Sequence, residues 1–361
     1  MNEIRSQLPS WNITDQHVII RVDLNIDSPE NNLRLTSLIP TLSLILEKKP
    51  RSLVLLSHRG RPEKPVATLS LKMIVDALHT WGIDASFAPT INDARSLQEK
   101  QGGVIVLENL RFFPGEKARD LKFAKELRQL GSWFINDAWA SMHTTDTSIA
   151  LLPTLFDQEH KTCGLLVEKE VNSLSRFMHE AQHPTLLLLG GGKVTEKTAL
   201  IPGLETMMDT IALGPLISLT DVNPQQYKRH IVLPVDYLVK TPSGRISNQR
   251  ADQIGTQETV ITIGAQTLEQ YQYLASHAKT IVYNGFMGFT NDSSSLTTFK
   301  DLMNEIQQES KLLICGGDSV VAAQATGTLS RATLVSTGGG ATLSFLARKE
   351  LPGLKALGLL T

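Results

Sequence analysis

Four short apolar runs in the second half of the chain end in glycines or in Asn-Gly, and this pattern restricts the fold more than any other feature. They are TLLLL before Gly190-Gly191-Gly192-Lys193, TIVY before Asn284-Gly285, LLIC before Gly316-Gly317-Asp318, and TLVS before Thr337-Gly338-Gly339-Gly340. Continuous apolar runs of this length suit strands buried on both faces of a parallel sheet. Glycines directly after them bare backbone N–H groups, and where such a loop opens a helix the helix dipole adds to a cradle for anions. Four such loops, with Lys193, Lys197 and Asp318 among them, predict a nucleotide phosphate site.

The first half has the complementary pattern, with apolar runs ending in polar and basic side chains. HVIIRV leads to Asp23 and Asn25, SLVLLS to His58 and Arg61, GVIVLENL to Arg111, and SWFI to Asn136 and Asp137. Arg34 follows a turn-like Asn31-Asn32. Ligands of open α/β sheets bind beyond the carboxyl ends of the strands, so these side chains are expected to converge on one anionic small molecule.

A chain of 361 residues exceeds the usual size of one core, which predicts two domains of roughly 150–200 residues. Thirty-five basic residues balance 36 acidic ones, so no global charge recruits nucleic acid or an anionic membrane. No run reaches the ~20 apolar residues of a membrane span, and MNEIRSQLPSW lacks the apolar stretch of a signal peptide. A cytoplasmic location and a monomer are expected. Two cysteines, Cys163 and Cys315, are too few for a disulfide framework or a cysteine-rich metal site.

Strand-like and helix-like segments alternate throughout, as in βαβ units. Helices are expected over 68–81 with Gly82 as the stop, over 121–130 ending at Gly131, over 296–306, and over 165–180, where Val167, Val171, Leu174 and Phe177 form a stripe. The last lies between the basic half and the glycine half. A joining helix with a boundary near 183 follows, giving domains at 1–183 and 184–345 and a C-terminal segment, 346–361, that returns to the first. Pro242-Ser243-Gly244 reads as a surface turn.

The glycine loops fit neither common nucleotide signature. A Walker A loop needs glycine where Leu187 stands, and the dinucleotide pattern needs it at Thr195. Lys193 and Lys197 are four apart, which on one helical face would let two cations meet one phosphate chain. Asp318 reads either as a helix N-cap or as the carboxylate holding Mg²⁺ between itself and phosphate, and both readings stay open.

Taken in order along the chain, the motifs resemble those of the phosphoglycerate kinase family. They are Arg21-Val-Asp-Leu-Asn25, Asn31-Asn-Leu-Arg34, Ser57-His-Arg-Gly-Arg-Pro62, Glu108-Asn-Leu-Arg-Phe112 with Pro114-Gly-Glu116, Asn136-Asp-Ala138, Gly190 to Lys197, Leu233-Pro-Val-Asp236, Asn284-Gly285, Gly316-Gly-Asp318 and Ser336 to Ala341. The resemblance implies two Rossmann-like α/β/α domains with parallel sheets, a cleft between them, and reversible phosphoryl transfer between MgATP or MgADP and the carboxylate of 3-phosphoglycerate, forming 1,3-bisphosphoglycerate. Carried over by position, Asp23, Asn25, Arg34, His58, Arg61 and Arg111 would hold the acid. Gly191, Lys193, Lys197, Gly214, Asn284, Gly316, Gly317, Asp318 and Ser319 would hold the nucleotide, with Asp318 on its Mg²⁺. Arg34, Lys193, Lys197, Gly317 and Gly339 would act on the migrating group.

The chain departs from the family at identifiable places. Thr144 stands where a substrate arginine is expected, within Trp139-Ala-Ser-Met-His143-Thr144-Thr145. On the nucleotide side, Gly214-Pro215-Leu216 replaces a triple glycine, Phe286 replaces a proline, Asn291 replaces a ribose-binding glutamate, and the stretch from Asp236 to Gly264 is short. Two alternatives therefore stay open beside the family reaction: a paralogue phosphorylating another carboxylic acid, and a ligand-binding protein with impaired turnover.

Overall fold

A computed structural model describes residues 3–26, 28, 33–219, 223–227 and 229–359. The Asn31-Asn32 turn lies outside them. The chain divides into two compact units, one holding the residues up to Ser175 together with those from Glu350 onward, the other Arg176–Lys349.

The first unit is built on β1 (His17–Arg21), β2 (Ser52–Leu56), β3 (Ala85–Ala88), β4 (Gly103–Leu107), β5 (Trp133–Asn136) and β6 (Lys161–Cys163). Their order is β3-β4-β2-β1-β5-β6, and every neighbouring pair is parallel. All five residues of β2 are buried, as a strand covered by helices on both faces requires. One face packs Val18, Ile20, Leu53, Leu55, Val104 and Val106 against Leu42, Ile45, Ile74 and Leu78. The register sets Arg21 beside Leu56 on one side and Asn136 on the other, so the polar residues following each strand emerge together at one end of the sheet.

The second unit contains β7 (Thr185–Leu189), β8 (Thr210–Leu213), β9 (His230–Val232), β10 (Tyr237–Lys240), β11 (Ile246–Gln249), β12 (Thr259–Ile263), β13 (Thr280–Asn284), β14 (Lys311–Cys315) and β15 (Leu334–Ser336). Six form a parallel sheet in the order β15-β14-β13-β7-β8-β9. The other three form an antiparallel sheet, β11-β10-β12, which the alternating sequence pattern does not predict. The cause is local. At the expected turn, Gly244 has φ 87° and the Thr241 N–H bonds the Arg245 carbonyl, 2.9 Å, folding β10 back on β11 as a hairpin.

The expected helices are present with shifted ends. The first is Lys72–Thr80, preceded by a separate 3-10 turn at Ala67–Leu69, and the others are Leu121–Arg128, Leu165–His179 and Ser293–Asn304. Val167, Val171, Leu174 and Phe177 are all buried, and the division between the units falls inside this helix, before residue 183. After Pro352 the chain packs within the first unit, where the Gly353 N–H bonds the Met142 carbonyl, 3.0 Å, and Gln158 bonds that of Leu357, 2.8 Å. Among the described residues no helix is long and apolar enough to cross a membrane.

Candidate active site

In the first unit the strand-end side chains are tied together through backbone groups. The Asn25 side chain accepts from the Gly60 N–H at 2.8 Å, and the Arg111 guanidinium donates to the Gly60 carbonyl, so the loop carrying His58 and Arg61 is clamped between them. Arg34 donates to the Asn25 carbonyl at 2.8 Å and lies 3.7 Å from the Asp23 carboxylate. Asp23 also accepts from the Asn25 N–H, 3.1 Å, which makes it a positioning group for the polar loop. Arg61 is exposed beside the clamp.

His58 differs from the sequence expectation of a basic contact. It is buried, and burial first, then Arg21, Arg111, Lys117 and Arg34, holds its pKa well below the ordinary histidine value. Its Nδ1 lies 2.7 Å from Arg21 Nη2. Arginine has no acceptor, so Nδ1 is the bare nitrogen and Nε2 carries the proton. His58 therefore offers an anion a neutral N–H donor.

The motif residue Arg21 is completely buried beneath these loops. Its Nε donates to Ser148 Oγ at 3.0 Å, and Ser148 in turn donates its hydroxyl and its N–H to the buried Glu116, 2.6 and 2.9 Å. Burial pushes the arginine pKa down and that of Glu116 up, the pattern of two charges held out of water and opposed to each other. Lys117 and Asp146 lie outside the residues that the motifs single out. Lys117 lies 2.9 Å and Arg111 3.6 Å from the Asp146 carboxylate. Their signal is local: Lys117 follows the motif residue Glu116, and Asp146 follows the Trp139-to-Thr145 stretch. The Thr144 hydroxyl is buried with no hydrogen-bond partner among the described residues.

In the second unit the register does the assembly. Ser336 pairs with Cys315, Cys315 with Asn284, Asn284 with Leu189, and Leu189 with Leu213. Five strands thus end in one row, and the residues that follow are Thr337-Gly338, Gly316, Gly285, Gly190 and Gly214. Glycine is required where these loops touch. Gly285 has φ 82°, and a Cβ there would run into the Gly190 carbonyl and the Lys197 ammonium. A Cβ on Gly214 would lie 2.7 Å from Gly190 Cα. Asn284 is buried and donates to Cys315 Sγ, 3.0 Å, and to the Gly339 carbonyl, 3.4 Å, so it braces the loops from below. Ser319 is buried too, and its Oγ accepts from the Gly285 N–H at 2.9 Å.

The structure differs from three sequence expectations. Of the four glycine loops, those at Gly190, Gly316 and Gly338 lead directly into helices, Val194–Thr198, Gly317–Ala325 and Gly340–Leu346, whereas Gly285 enters a turn and its helix starts at Ser293, capped by Asp292. Lys193 does not share a helical face with Lys197. It sits at the N-cap position with φ 60°, in the left-handed region, exposed, and the helix begins at Val194. Asp318 is not the N-cap of its helix; Gly316 is, with φ 96°, leaving the Asp318 carboxylate exposed in the first turn. Asn291 is exposed ahead of Asp292, and Phe286 is buried in the core with Tyr283 and Phe299.

Lys197 is half-buried and donates to the Gly190 carbonyl. Burial lowers its pKa to about 8, with Lys193 adding to the effect and Cys315, Asp318 and Glu196 opposing it. A cation held out of water at the glycine loops, with an exposed carboxylate nearby, is chemically suited to a polyphosphate carrying a divalent metal. Among the described residues no group of three or more His, Cys, Asp or Glu could hold a metal alone.

The sequence model described as phosphoglycerate kinase matches residues 8–228 and 218–349. The chain is 30% identical to the phosphoglycerate kinase of Chlorobium luteolum, covering 98% of this chain and 99% of the relative. It is 31% identical to that of Chlorobaculum tepidum over the same shares. The structure is similar to that of phosphoglycerate kinase from Coxiella burnetii, with TM-score 0.69, 26% identity, and 96% and 97% of the two chains covered. It also shares its fold with the enzyme from Pyrococcus horikoshii, with TM-score 0.77, 23% identity and 97% and 98% covered.

Proposed function

The chain belongs to the phosphoglycerate kinase family, and we propose on that footing that it transfers a phosphoryl group reversibly between MgATP or MgADP and the carboxylate of 3-phosphoglycerate. The reading rests most on the row of five strand ends in the second unit, where glycine loops surround the desolvated Lys197 and the exposed Asp318. In it the glycine loops and Lys193 would bind the nucleotide phosphates, Lys197 would meet the migrating group, and Asp318 would hold a nucleotide-borne Mg²⁺, which would supply neutralising charge to the phosphates. The Gly338-to-Gly340 loop receives the group in transit. Arg34, Arg61, Arg111, His58 and Asn25 bind the acid, with Asp23 orienting Arg34. On this reading the protein works as a monomer in the cytoplasm.

The chemistry asks little of proton transfer. A carboxylate with a pKa near ~4 is already ionised at neutral pH, so the nucleophile needs no general base. What the protein supplies is alignment and positive charge around the moving phosphoryl, from Arg34, Lys197 and backbone N–H groups.

Two ligands test the two halves separately. Saturating 3-phosphoglycerate raises the melting temperature of both the wild type and Asp318→Asn, since a ligand at ~100 times its dissociation constant adds ~2.7 kcal/mol. Asp318→Asn weakens MgADP binding roughly ten- to a hundredfold by calorimetry, because a charge-assisted metal contact is lost. Unchanged MgADP affinity in the folded variant removes Asp318 from the metal site. No shift with 3-phosphoglycerate, and a clear one with another carboxylic acid, changes the substrate.

A further inference from the structure

We propose that Asp146 is a built-in competing anion in the acid site, holding Arg111 and Lys117 until the substrate displaces it, and that it thereby sets substrate affinity. The inference rests on the acid-site assignment above. Asp146 is buried, with its side chain 5% exposed, and its oxygens face cations on two different elements. Oδ1 accepts from Lys117, whose own side chain is 60% exposed, at 2.9 Å. Oδ2 lies 3.6 Å from Arg111 Nη2 but makes no hydrogen bond among the described residues. On the other side of the pair, the buried Arg111 Nε has no hydrogen-bond partner there either.

This half-made contact has a direction. Glu116 is engaged by Ser148 opposite Arg21, and His58 is turned to Arg21, so Asp146 is the carboxylate left facing Arg111 and Lys117. Arg111 is also the residue clamping the Gly60 loop at the centre of the acid site. A buried donor without an acceptor beside a buried acceptor without a donor leaves both desolvation costs unmet, and an external anion on Arg111 meets the first. The same anion is repelled by Asp146 unless that carboxylate withdraws, and Lys117, its hydrogen-bonded partner among the described residues, sits on an exposed, flexible stem able to follow it. A doubly charged phosphate competes better for Arg111 than a single carboxylate does, so Asp146 also biases the site towards phosphorylated acids.

Calorimetry on the full chain decides the matter, with 3-phosphoglycerate and inorganic phosphate titrated into wild type, Asp146→Asn and Asp146→Ala. Both substitutions are expected to tighten 3-phosphoglycerate binding on the order of tenfold, a change that merely damaging a structural contact would not produce. The alanine variant serves if the asparagine variant does not fold. Equal affinities in wild type and variants overturn the proposal while leaving the acid site in place, and weaker binding in the variants overturns it by making Asp146 a positioning residue. If none of the proteins binds 3-phosphoglycerate, the acid assignment fails. In that case tighter phosphate binding in the variants still supports Asp146 as competitor, and unchanged phosphate binding overturns it.

Discussion

Lys197→Met is expected to lower kcat by roughly 10²–10³-fold, the loss that follows removal of one preorganised donor from developing charge, without lowering the melting temperature. The two halves of that statement have one cause. Lys197 points into the loop formed by Gly190, Gly191 and Gly285 and is desolvated there, which lowers its pKa from 10.5 to about 8. A depressed lysine pKa means that the fold disfavours the charge. Below about pH 8 the folded chain carries that cost in full, and it is relieved as pH rises from about 8 towards 10.5, where the folded state has lost the proton and the unfolded state has not. Methionine keeps the length of the stem and removes the charge, so stability holds or rises while transfer collapses. In the wild type the charge that meets phosphate fades as pH climbs through about 8, and MgADP binding near that pH draws in protons, visible as a buffer-dependent heat. A fall in melting temperature equal to the fall in activity would make Lys197 a structural residue.

Arg21→Leu has the opposite signature. Arg21 is fully buried and linked through Ser148 to Glu116, itself buried, with bonds also to His58 and the Val22 carbonyl. Removing one partner of a buried charge pair leaves the other uncompensated and costs about 3–5 kcal/mol. The first unit is expected to lose that much in chemical denaturation, with a lower denaturant midpoint and an unchanged slope. The double variant Arg21→Leu/Glu116→Gln should recover part of the loss, because it no longer buries an unpaired carboxylate. A single variant as stable as wild type would mean that the two charges are solvated.

The strands were legible because buried parallel strands are written as unbroken apolar runs, and the residues closing those runs were legible because βα loops follow strand ends. SLVLLS and TLLLL gave β2 and β7 directly, and the register then placed Gly190, Gly214, Gly285 and Gly316 in a row. What the sequence concealed lay below the scale of a strand. Spacing of four between Lys193 and Lys197 suggested a shared helical face, but the chain bends at Lys193 and only Lys197 is helical. Asn284 and Ser319 stand where nucleotide contacts are expected, and that both also brace the loops was not legible, since a buried side-chain bond to a neighbouring loop leaves no mark in one sequence. The antiparallel β10–β12 sheet was hidden because its short strands carry little apolar periodicity. The neutrality of His58 is not legible in the sequence because it comes first from burial and then from Arg21, thirty-seven residues away. Asp146 was missed because it pairs across segments.

Phosphoryl transfer to a carboxylate yields an acyl phosphate, which hydroxylamine converts to a hydroxamate. Incubating the full chain with MgATP, 3-phosphoglycerate and hydroxylamine, and measuring hydroxamate together with ADP, follows the proposed bond directly. Equal amounts of the two are expected, formed only when both substrates are present and nearly abolished in Lys197→Met. ADP released with inorganic phosphate and no hydroxamate, or no ADP with 3-phosphoglycerate when another carboxylic acid supports turnover, would contradict the proposed transfer.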